Sequence, residues 1–311
     1  MPGARRAPGN GGPGMSVRGT ESGPGLKRIL FATDFSPRSD RAGRRAALLA
    51  RQMGASIAIV HVVDDDRPPR LVQRARAEAL ELLEEMRRTF TETDGIECDV
   101  TVALGEAFAG TLSAASETGA DVILIGPHRR RILKDVFTGT TAERTVRGAR
   151  RPVLMANGTP AGPYRNVLVA TDLSDCSSAA LHLCDRWRLG ETAAVSLVHV
   201  FDAPARGVMQ RASVTQDAIA DYVSEETERA ESELRAFLAR HAFSADRILL
   251  RPAGGPTAAE ILKAAEECDA QLIVVGTHGR TGIAKALLGS VTEYLLRTAE
   301  CDILAVPTEA D

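Results

Sequence analysis

The sequence predicts an α/β protein made of two tandem domains, each a five-stranded parallel sheet sandwiched between helices. Three observations predict this fold class. The second half of the 311-residue chain repeats the first half in the same order. Within each half, short apolar runs alternate with longer charged segments, as expected for buried parallel strands joined by helices. Polar turn residues close the apolar runs.

Four pairs of segments carry the repeat. Their offset rises from 138 residues in the first two pairs to 150 in the last two, so the second copy has 12 extra residues. We expect these in its long middle helix. The pairs are KRILFATDFS (27–36) with RNVLVATDLS (165–174), SIAIVHVVD (56–64) with AVSLVHVFD (194–202), ADVILIGPHRR (120–130) with AQLIVVGTHGR (270–280), and GTTAERTVRGARRPVLMA (139–156) with GSVTEYLLRTAECDILAV (289–306).

The elements follow the same order in both copies. Ser36 before Pro37, and Ser174 before Asp175, mark helix starts, because serine suits the N-cap and proline or aspartate suits the first turn. The expected strands are ILFAT and VLVAT, then 56–63 and 194–201, 98–104 and 247–253, 122–125 and 272–275, and 152–156 and 302–306. Helices are expected near 37–53 and 176–189, at 69–92 and 213–241, and on either side of the fourth strand in each copy.

These patterns divide the chain into four parts. Residues 1–25 are rich in Gly and Pro without a period, which predicts a disordered tail. Copy one is expected over residues 26–157 and copy two over residues 164–308. Residues 158–163 lie in the turn-rich stretch NGTPAGPY and form the expected linker.

Composition excludes several classes of protein. The net charge is −3 and no apolar stretch is long enough to span a bilayer, so we expect neither nucleic acid nor membrane as partner. The basic run at 129–131 has no interleaved aromatic residues, which favours a solvated loop. Five cysteines without a CxxC pair argue against a disulfide framework or metal site and favour the cytoplasm.

Small residues with a fixed spacing form the main candidate site. Gly276 and Gly279 follow the fourth strand of copy two, and Gly289 and Ser290 open the next helix. Ser290 and Glu293 have the spacing of a capping box. Glycines allow close approach of the backbone, and a helix N-terminus favours phosphate. The glycines serve either a ligand or the packing of the next helix, and the sequence leaves both readings open.

With these motifs the chain resembles the universal stress protein family. The spacing Gly276-x2-Gly279-x9-Gly289-Ser290 matches that family's signature loop, and VLVATDLS and LVHVFD match its first two strands. The similarity covers nearly everything after residue 26 as two copies. It implies a Rossmann-like parallel α/β fold and, for many members, a bound ATP or AMP. ATP, with or without Mg²⁺, is the ligand implied first, and AMP or ADP are the alternatives.

For copy two, the resemblance implies a binding role for individual residues. Ala170, Thr171 and Asp172 would lie near the nucleoside, and the main chain of Val200 would meet the adenine edge. The remaining positions would border the ribose and surround the phosphates: Val275, Gly276, Gly279, Gly289, Ser290, Val291 and Thr292. His278 and Arg280 stand in the same loop and either assist or face water.

Copy one departs from this pattern. Arg129 replaces the second loop glycine and Pro127 removes one N–H group. The arginine either blocks the site or reaches the phosphates itself. Because the matching positions Thr33, Asp34, Val62, Gly126, Gly139 and Thr140 are kept, we expect a weakened or empty second site.

No catalytic residue is identified, because no base stands beside a nucleophile and no paired carboxylates occur at a fixed spacing. His61 and His199 are expected to have structural roles. The function implied is a cytoplasmic, non-enzymatic regulator of the stress response that binds an adenine nucleotide. The alternatives are an interaction scaffold that binds no nucleotide and a slow ATPase. The partner protein is unknown. The last strands would pair within the chain as a pseudo-dimer, and a homodimer of chains stays open.

Overall fold

A computed structural model describes residues 25–127, 141–279 and 288–308. Every structural statement below concerns these residues. The expectations for the tail, except at Gly25, and for Arg129, Gly139, Thr140 and Arg280 lie outside them.

Copy one contains five strands and four α-helices within the described ranges. One turn of π-helix, Thr89–Thr93, extends its second helix. The elements are β1 (Arg28–Ala32), α1 (Pro37–Met53), β2 (Ser56–Val63), α2 (Pro69–Arg88), β3 (Cys98–Leu104), α3 (Ala107–Glu117), β4 (Val122–Ile125), α4 (Thr141–Gly148) and β5 (Val153–Met155).

Copy two repeats this order with two additional short helices. The first of them, α6, follows α5, and the second, α7, precedes the long helix α8. The elements are β6 (Asn166–Thr171), α5 (Asp175–Arg186), α6 (Leu189–Thr192), β7 (Ala194–Phe201), α7 (Pro204–Arg211), α8 (Gln216–Arg240), β8 (Arg247–Pro252), α9 (Thr257–Glu267), β9 (Leu272–Gly276), α10 (Ser290–Thr298) and β10 (Asp302–Val306).

The strands of both copies join in one ten-stranded sheet. Their order is β3-β2-β1-β4-β5-β10-β9-β6-β7-β8. All neighbours within a copy are parallel, as the alternation of strands and helices predicts. The last strands β5 and β10 pair antiparallel, with Leu154 opposite Leu304. The two predicted five-stranded sheets are therefore the halves of a continuous one.

Helices cover both faces of the sheet, which explains why the strands are apolar throughout. Successive strand residues point to opposite faces. Val167 and Val169 pack in the core that α5 and α8 cover, whereas Leu168 and Ala170 pack in the core that α9 and α10 cover. No helix in the described ranges is both long and apolar enough to cross a bilayer.

The extra residues of copy two lie mainly before its long helix, so our expectation that they lengthen this helix was wrong. Residues 202–215 connect β7 to α8, whereas residues 64–68 make the same connection in copy one. Part of this insertion folds as α7, where Pro204 starts the helix and the backbone N–H of Ala205 donates to Tyr222 Oη on α8 at 3.2 Å. The insertion is thereby fixed to α8 at one edge of the sheet.

A buried polar cluster fastens the linker to both copies. Asp302 accepts hydrogen bonds from Arg45 Nε at 2.9 Å, Tyr164 Oη at 2.6 Å and the Gly158 N–H at 2.8 Å. Arg45 also donates to Gly162 O at 2.8 Å. Because a buried carboxylate is costly unless it is paired and hydrogen-bonded, these contacts hold the two copies in a fixed relation.

Candidate ligand site

A cavity of about 610 Å³ opens where β6, β7 and β9 end in copy two. This is the edge at which parallel α/β sheets bind ligands, and the volume falls within the range of about 300–1,000 Å³ typical of ligand pockets. The first residues of α10, two residues of α9 and four residues of α8 complete its wall.

Eleven of the twelve residues predicted for copy two line this one cavity, and the twelfth, Arg280, lies outside the described residues. His278 lines it as well. The eleven are Ala170, Thr171, Asp172, Val200, Val275, Gly276, Gly279, Gly289, Ser290, Val291 and Thr292. The fold therefore brings together positions that are more than 120 residues apart in the sequence.

A tight turn after β6 presents Asp172 to the cavity. Thr171 Oγ1 accepts the backbone N–H of Leu173 at 3.1 Å, and Leu173 adopts a left-handed conformation with φ 65°. Such a conformation is unfavourable for a branched residue. The hydrogen bonds on either side of Leu173 hold the turn in place.

The Asp172 carboxylate is fixed by the start of α5. Its Oδ1 accepts from Ser174 Oγ at 2.5 Å, from the Ser174 N–H at 3.1 Å and from Ser177 Oγ at 2.6 Å. Ser174 also caps α5 by accepting from the Ser177 N–H, as its sequence position predicts. One oxygen of Asp172 is thus used to orient the side chain, and a Cβ added to Gly279 would lie 2.9 Å from the other.

A side chain at each of the three signature glycines would meet a different neighbouring group. A Cβ on Gly276 would lie 2.8 Å from Cys176 Cβ, so this glycine lets α5 pack against the end of β9. A Cβ on Gly289 would lie 3.1 Å from Thr277 O, where the loop returns to the strand. Only Gly279 owes its small size to a group of the cavity itself. Gly276 and Gly289 thus serve packing within the fold, and Gly279 borders a carboxylate of the cavity wall.

The helix after the loop begins without the predicted capping box. Gly289 is the N-cap, with no side-chain cap hydrogen bond, and Ser290 is the first helical residue. The reason is that the Gly289 carbonyl already accepts from the Glu293 N–H at 2.9 Å. The first N–H groups of any α-helix have no intrahelical partner, so those of Ser290, Val291 and Thr292 are suited to an anion.

Thr292 has a structural role in addition to its place in the cavity wall. Its side chain is 2% exposed, and Oγ1 donates to Gly276 O at 2.7 Å. This bond joins the first turn of α10 to the end of β9.

Both strand-end histidines make the structural contact expected of them. His199 Nδ1 lies 2.9 Å from Thr171 O, and His61 Nδ1 lies 2.9 Å from Thr33 O. Because a carbonyl oxygen only accepts, Nδ1 carries the proton in both rings. His199 also lines the cavity.

No sequence pattern predicted the outer wall of the cavity. Asp202 and Pro204 come from the insertion, and Glu226, Arg229 and Glu233 come from α8. Arg229 lies 3.3 Å from Glu233 and 3.9 Å from Glu226. Helical spacing places the last three on one face, but no feature of the sequence shows that this face turns toward the strand ends.

The opposite wall is partly apolar, and of the residues named here only Val200 was predicted. Thr257 and Ile261 of α9 line the cavity beside Val198 and Val200 of β7. Phe201 and Ala230 add further apolar surface. Such a wall suits a flat, weakly polar group such as a nucleobase.

Copy one keeps the turn, and a helix packs closely onto the neighbouring strand. Asp34 Oδ1 accepts from the Ser36 N–H and Oγ, and Phe35 is left-handed with φ 57°. A Cβ on Gly110 of α3 would lie 2.7 Å from a Val62 methyl group, so α3 is packed directly onto the side chain that corresponds to Val200. A Cβ on Gly126 would lie 3.1 Å from Arg38 O, which repeats the packing role of Gly276.

A larger cavity of about 810 Å³ lies elsewhere, where copy one meets α5. Arg150, Arg151, Arg186 and Trp187 are among its lining residues. None of the described site residues that the sequence predicts is among its lining residues. We assign the ligand site to the smaller cavity for this reason.

Within the described ranges, no group of three or more His, Cys, Asp or Glu side chains is arranged to hold a metal ion. The five cysteines are unpaired, with Cys98, Cys176 and Cys184 buried. Burial, together with the charge of Asp99, raises the pKa of Cys98 to about 12, and burial likewise raises that of Cys301 to about 12. These thiols are therefore poor nucleophiles at neutral pH.

The continuous sheet and the cavity at the carboxyl ends of its copy-two strands define a tandem α/β protein with a ligand-sized pocket in its second half. A family model described as the universal stress protein family matches residues 25–157 and again residues 163–307. The chain therefore belongs to the universal stress protein family, as a tandem member with two such domains.

The chain matches relatives along nearly its whole length and relatives along about the length of one copy. A universal stress protein of Mycolicibacterium smegmatis is 27% identical over 302 residues, covering 89% of this chain and 96% of the relative. A universal stress protein of Methanocaldococcus jannaschii is 30% identical over 144 residues, covering 46% of this chain and 82% of the relative. The tandem arrangement thus occurs in another protein over nearly its full length.

Solved structures share the fold at low sequence identity. The crystal structure of a universal stress protein from Archaeoglobus fulgidus has a TM-score of 0.65 at 20% identity, covering 90% of this chain and 96% of that one. A putative universal stress protein from Pseudomonas aeruginosa has a TM-score of 0.61 at 21% identity, covering 91% and 94%. These likenesses concern the architecture.

Proposed function

We propose that copy two binds an adenine nucleotide, ATP above all, and that the protein is a cytoplasmic regulator in the stress response. One observation carries the proposal: eleven residues predicted from the sequence line a single cavity of about 610 Å³. The alternative ligands are ADP and AMP. Five cysteines without a disulfide support a reducing compartment.

The polarity of the cavity supports one orientation of the nucleotide. The N–H groups at the start of α10 would hold the phosphates, and Gly279 would let them pass close to the loop. Val200 and Ile261 would contact the base, and Asp172 would lie near the ribose. Glu226 and Glu233 lie on α8, which covers the opposite face of the sheet from α10. Their negative charge would repel the phosphates and so favour an orientation with the phosphates at α10.

Isothermal titration with ATP, ADP, AMP and adenosine tests the proposal. We expect one binding event per chain and tighter binding for the phosphorylated ligands than for adenosine, because only these reach α10. GTP serves as the control for the base. The absence of heat with every adenine compound at millimolar concentration would contradict the proposal.

The interaction-scaffold alternative has support of its own, since copy one keeps the fold despite the substitution in its loop. It predicts that partner binding is unchanged in the Gly279→Arg variant. A loss of partner binding in that variant would tie the partner to the nucleotide. We expect slow ATP hydrolysis at most, since the sequence places no base beside a nucleophile.

A further inference from the structure

An ion pair connects α4, the last helix of copy one, to α10, the last helix of copy two. Arg297 in the last turn of α10 donates to Glu143 in the first turn of α4 through Nε at 2.5 Å and through Nη2 at 3.3 Å. The Glu143 side chain is only 2% exposed. The pair therefore joins a buried carboxylate of copy one to the helix whose other end lines the cavity of copy two.

Helix α10 is held at both ends. At the cavity, Thr292 Oγ1 donates to Gly276 O at 2.7 Å. At the far end, Arg297 reaches Glu143 and also Glu293, the latter at 2.7 Å. With nine residues, α10 is a short rigid rod, so a tilt at Arg297 displaces the N–H groups of Ser290 and Val291.

The geometry of the pair suits a positioning role. A guanidinium that donates through two nitrogens to one carboxylate is restrained in orientation as well as in distance. The Glu143 carboxylate is also buried, so movement of Arg297 away from it would break two charge-assisted hydrogen bonds in a site shielded from water.

The arrangement is not symmetric between the copies. The repeat relates Glu143 to Glu293 and Arg147 to Arg297. Among the described residues, Glu293 pairs with Arg297 of its own helix, and Arg147 is exposed without a corresponding bridge to copy two. Within the part of the chain that the structure describes, the bridge thus runs in one direction, from copy one to the helix that lines the cavity of copy two.

We infer that Glu143 and Arg297 are positioning residues for the phosphate end of the copy-two site, and that copy one contributes to this site without binding the ligand itself. The inference rests on the proposed nucleotide binding and assigns a role to the half of the protein whose own loop departs from the signature. It also implies that copy two alone binds phosphate less well than the full chain.

A comparison of AMP with adenosine tests the inference on the full chain. In Glu143→Gln and Arg297→Gln, we expect AMP to bind about three- to thirty-fold more weakly, while the affinity for adenosine changes less than about two-fold. Adenosine lacks the phosphate that α10 would hold, so the ratio of the two dissociation constants reports on the helix. Arg297 is about half exposed, so its guanidinium stays hydrated when Glu143 loses its charge, which makes Glu143→Gln the milder variant for folding.

Glu78→Gln is the matched control, because it removes an exposed Arg74–Glu78 pair on α2. It should leave both affinities unchanged. Thermal unfolding of each variant with and without AMP identifies any general loss of stability.

The outcomes separate the two proposals. If the unmodified chain binds neither AMP nor ATP, the proposed function fails and the inference fails with it. If the unmodified chain binds AMP and both variants bind it equally well, the inference alone is overturned. Equal weakening of AMP and adenosine would overturn it too, because this would show a loosened fold instead of a displaced helix.

Discussion

Copies one and two share a turn but differ in what surrounds it. In each, a Thr-Asp pair ends the first strand, the next residue is left-handed, and a serine hydrogen-bonds the aspartate. In copy two, this turn borders a cavity. In copy one, α3 is packed against Val62, and Arg129 takes the place of Gly279. We therefore expect that the strand-end geometry alone is not sufficient for ligand binding.

The comparison also separates two uses of glycine. Gly126 and Gly276 occupy the same place in both copies, and in both a helix packs against the glycine. Gly279 has no counterpart in copy one and borders the Asp172 carboxylate. Gly126 and Gly276 therefore serve the packing of the fold, whereas Gly279 is the loop glycine that distinguishes copy two from copy one.

The largest expected effect comes from giving copy two the arginine of copy one. In Gly279→Arg, the new Cβ would lie 2.9 Å from Asp172 Oδ2, and the side chain would enter the phosphate region. We expect ATP affinity to fall by at least about 100-fold, or about 2.7 kcal/mol, in a calorimetric titration. Gly190→Arg is the control, since a Cβ there makes only an ordinary contact of 3.8 Å.

The packing glycines should affect stability in both copies. We expect Gly276→Ala to lower the free energy of unfolding toward the upper end of about 1–3 kcal/mol, because its Cβ would meet Cys176 Cβ and backbone. Gly126→Ala should cost less, since its nearest contact would be 3.1 Å. Urea unfolding measures both changes. No loss of stability in either variant would contradict the packing role.

The closed side of copy one offers a smaller test. In Gly110→Ala, the added methyl group would lie 2.7 Å from Val62, and we expect a loss toward the lower end of about 1–3 kcal/mol. Adding Val62→Ala should restore part of the lost stability, because the smaller side chain makes room for the added methyl group. Glu260→Ala, the corresponding position in copy two, should be nearly neutral. Additive losses in the Gly110 and Val62 pair would argue against direct packing.

The smallest effect concerns the copy-one aspartate. Partial burial acts to raise the pKa of Asp34, but hydrogen bonds from Ser36 and Ser39 and the charge of Arg38 outweigh it and lower the pKa below its usual value. The ionised form therefore stabilises the fold above about pH 4, the pKa range of an unfolded aspartate. This contribution is lost as the pH falls through the lowered folded pKa.

Unfolding measured from pH 2 to pH 6 checks this expectation. In Asp34→Asn, the acid-dependent part of the stability contributed by this group should disappear. An unchanged pH profile would show that the hydrogen bonds of the turn do not depend on the charge.

Much of the fold follows from the sequence because the repeat supplies each element twice. The ten strands and the helix starts at Pro37 and Asp175 were predicted from apolar runs and serine caps. The position of the insertion was not predicted correctly. The offset between the repeats gives the number of extra residues but not the connection in which they lie. The helix α7 depends on a tertiary hydrogen bond between Ala205 and Tyr222.

The candidate site was predictable in part for a similar reason. Its loop and strand ends carry a local spacing, so Asp172, Gly279 and Gly289 could be named. The wall on α8 shows no such pattern, because the sequence does not distinguish Arg229 from a charged residue on a solvent-exposed helix face. The capping box at Ser290 was wrong because the extended conformation of Gly289 shifts the helix start by one residue.

The central claim is that copy two holds one adenine nucleotide and copy one holds none. Native mass spectrometry of the full chain with ATP counts bound ligands directly. We predict a single added ATP in the unmodified chain and none in Gly279→Arg. Two bound nucleotides in the unmodified chain, or one that persists in the variant, would contradict the claim.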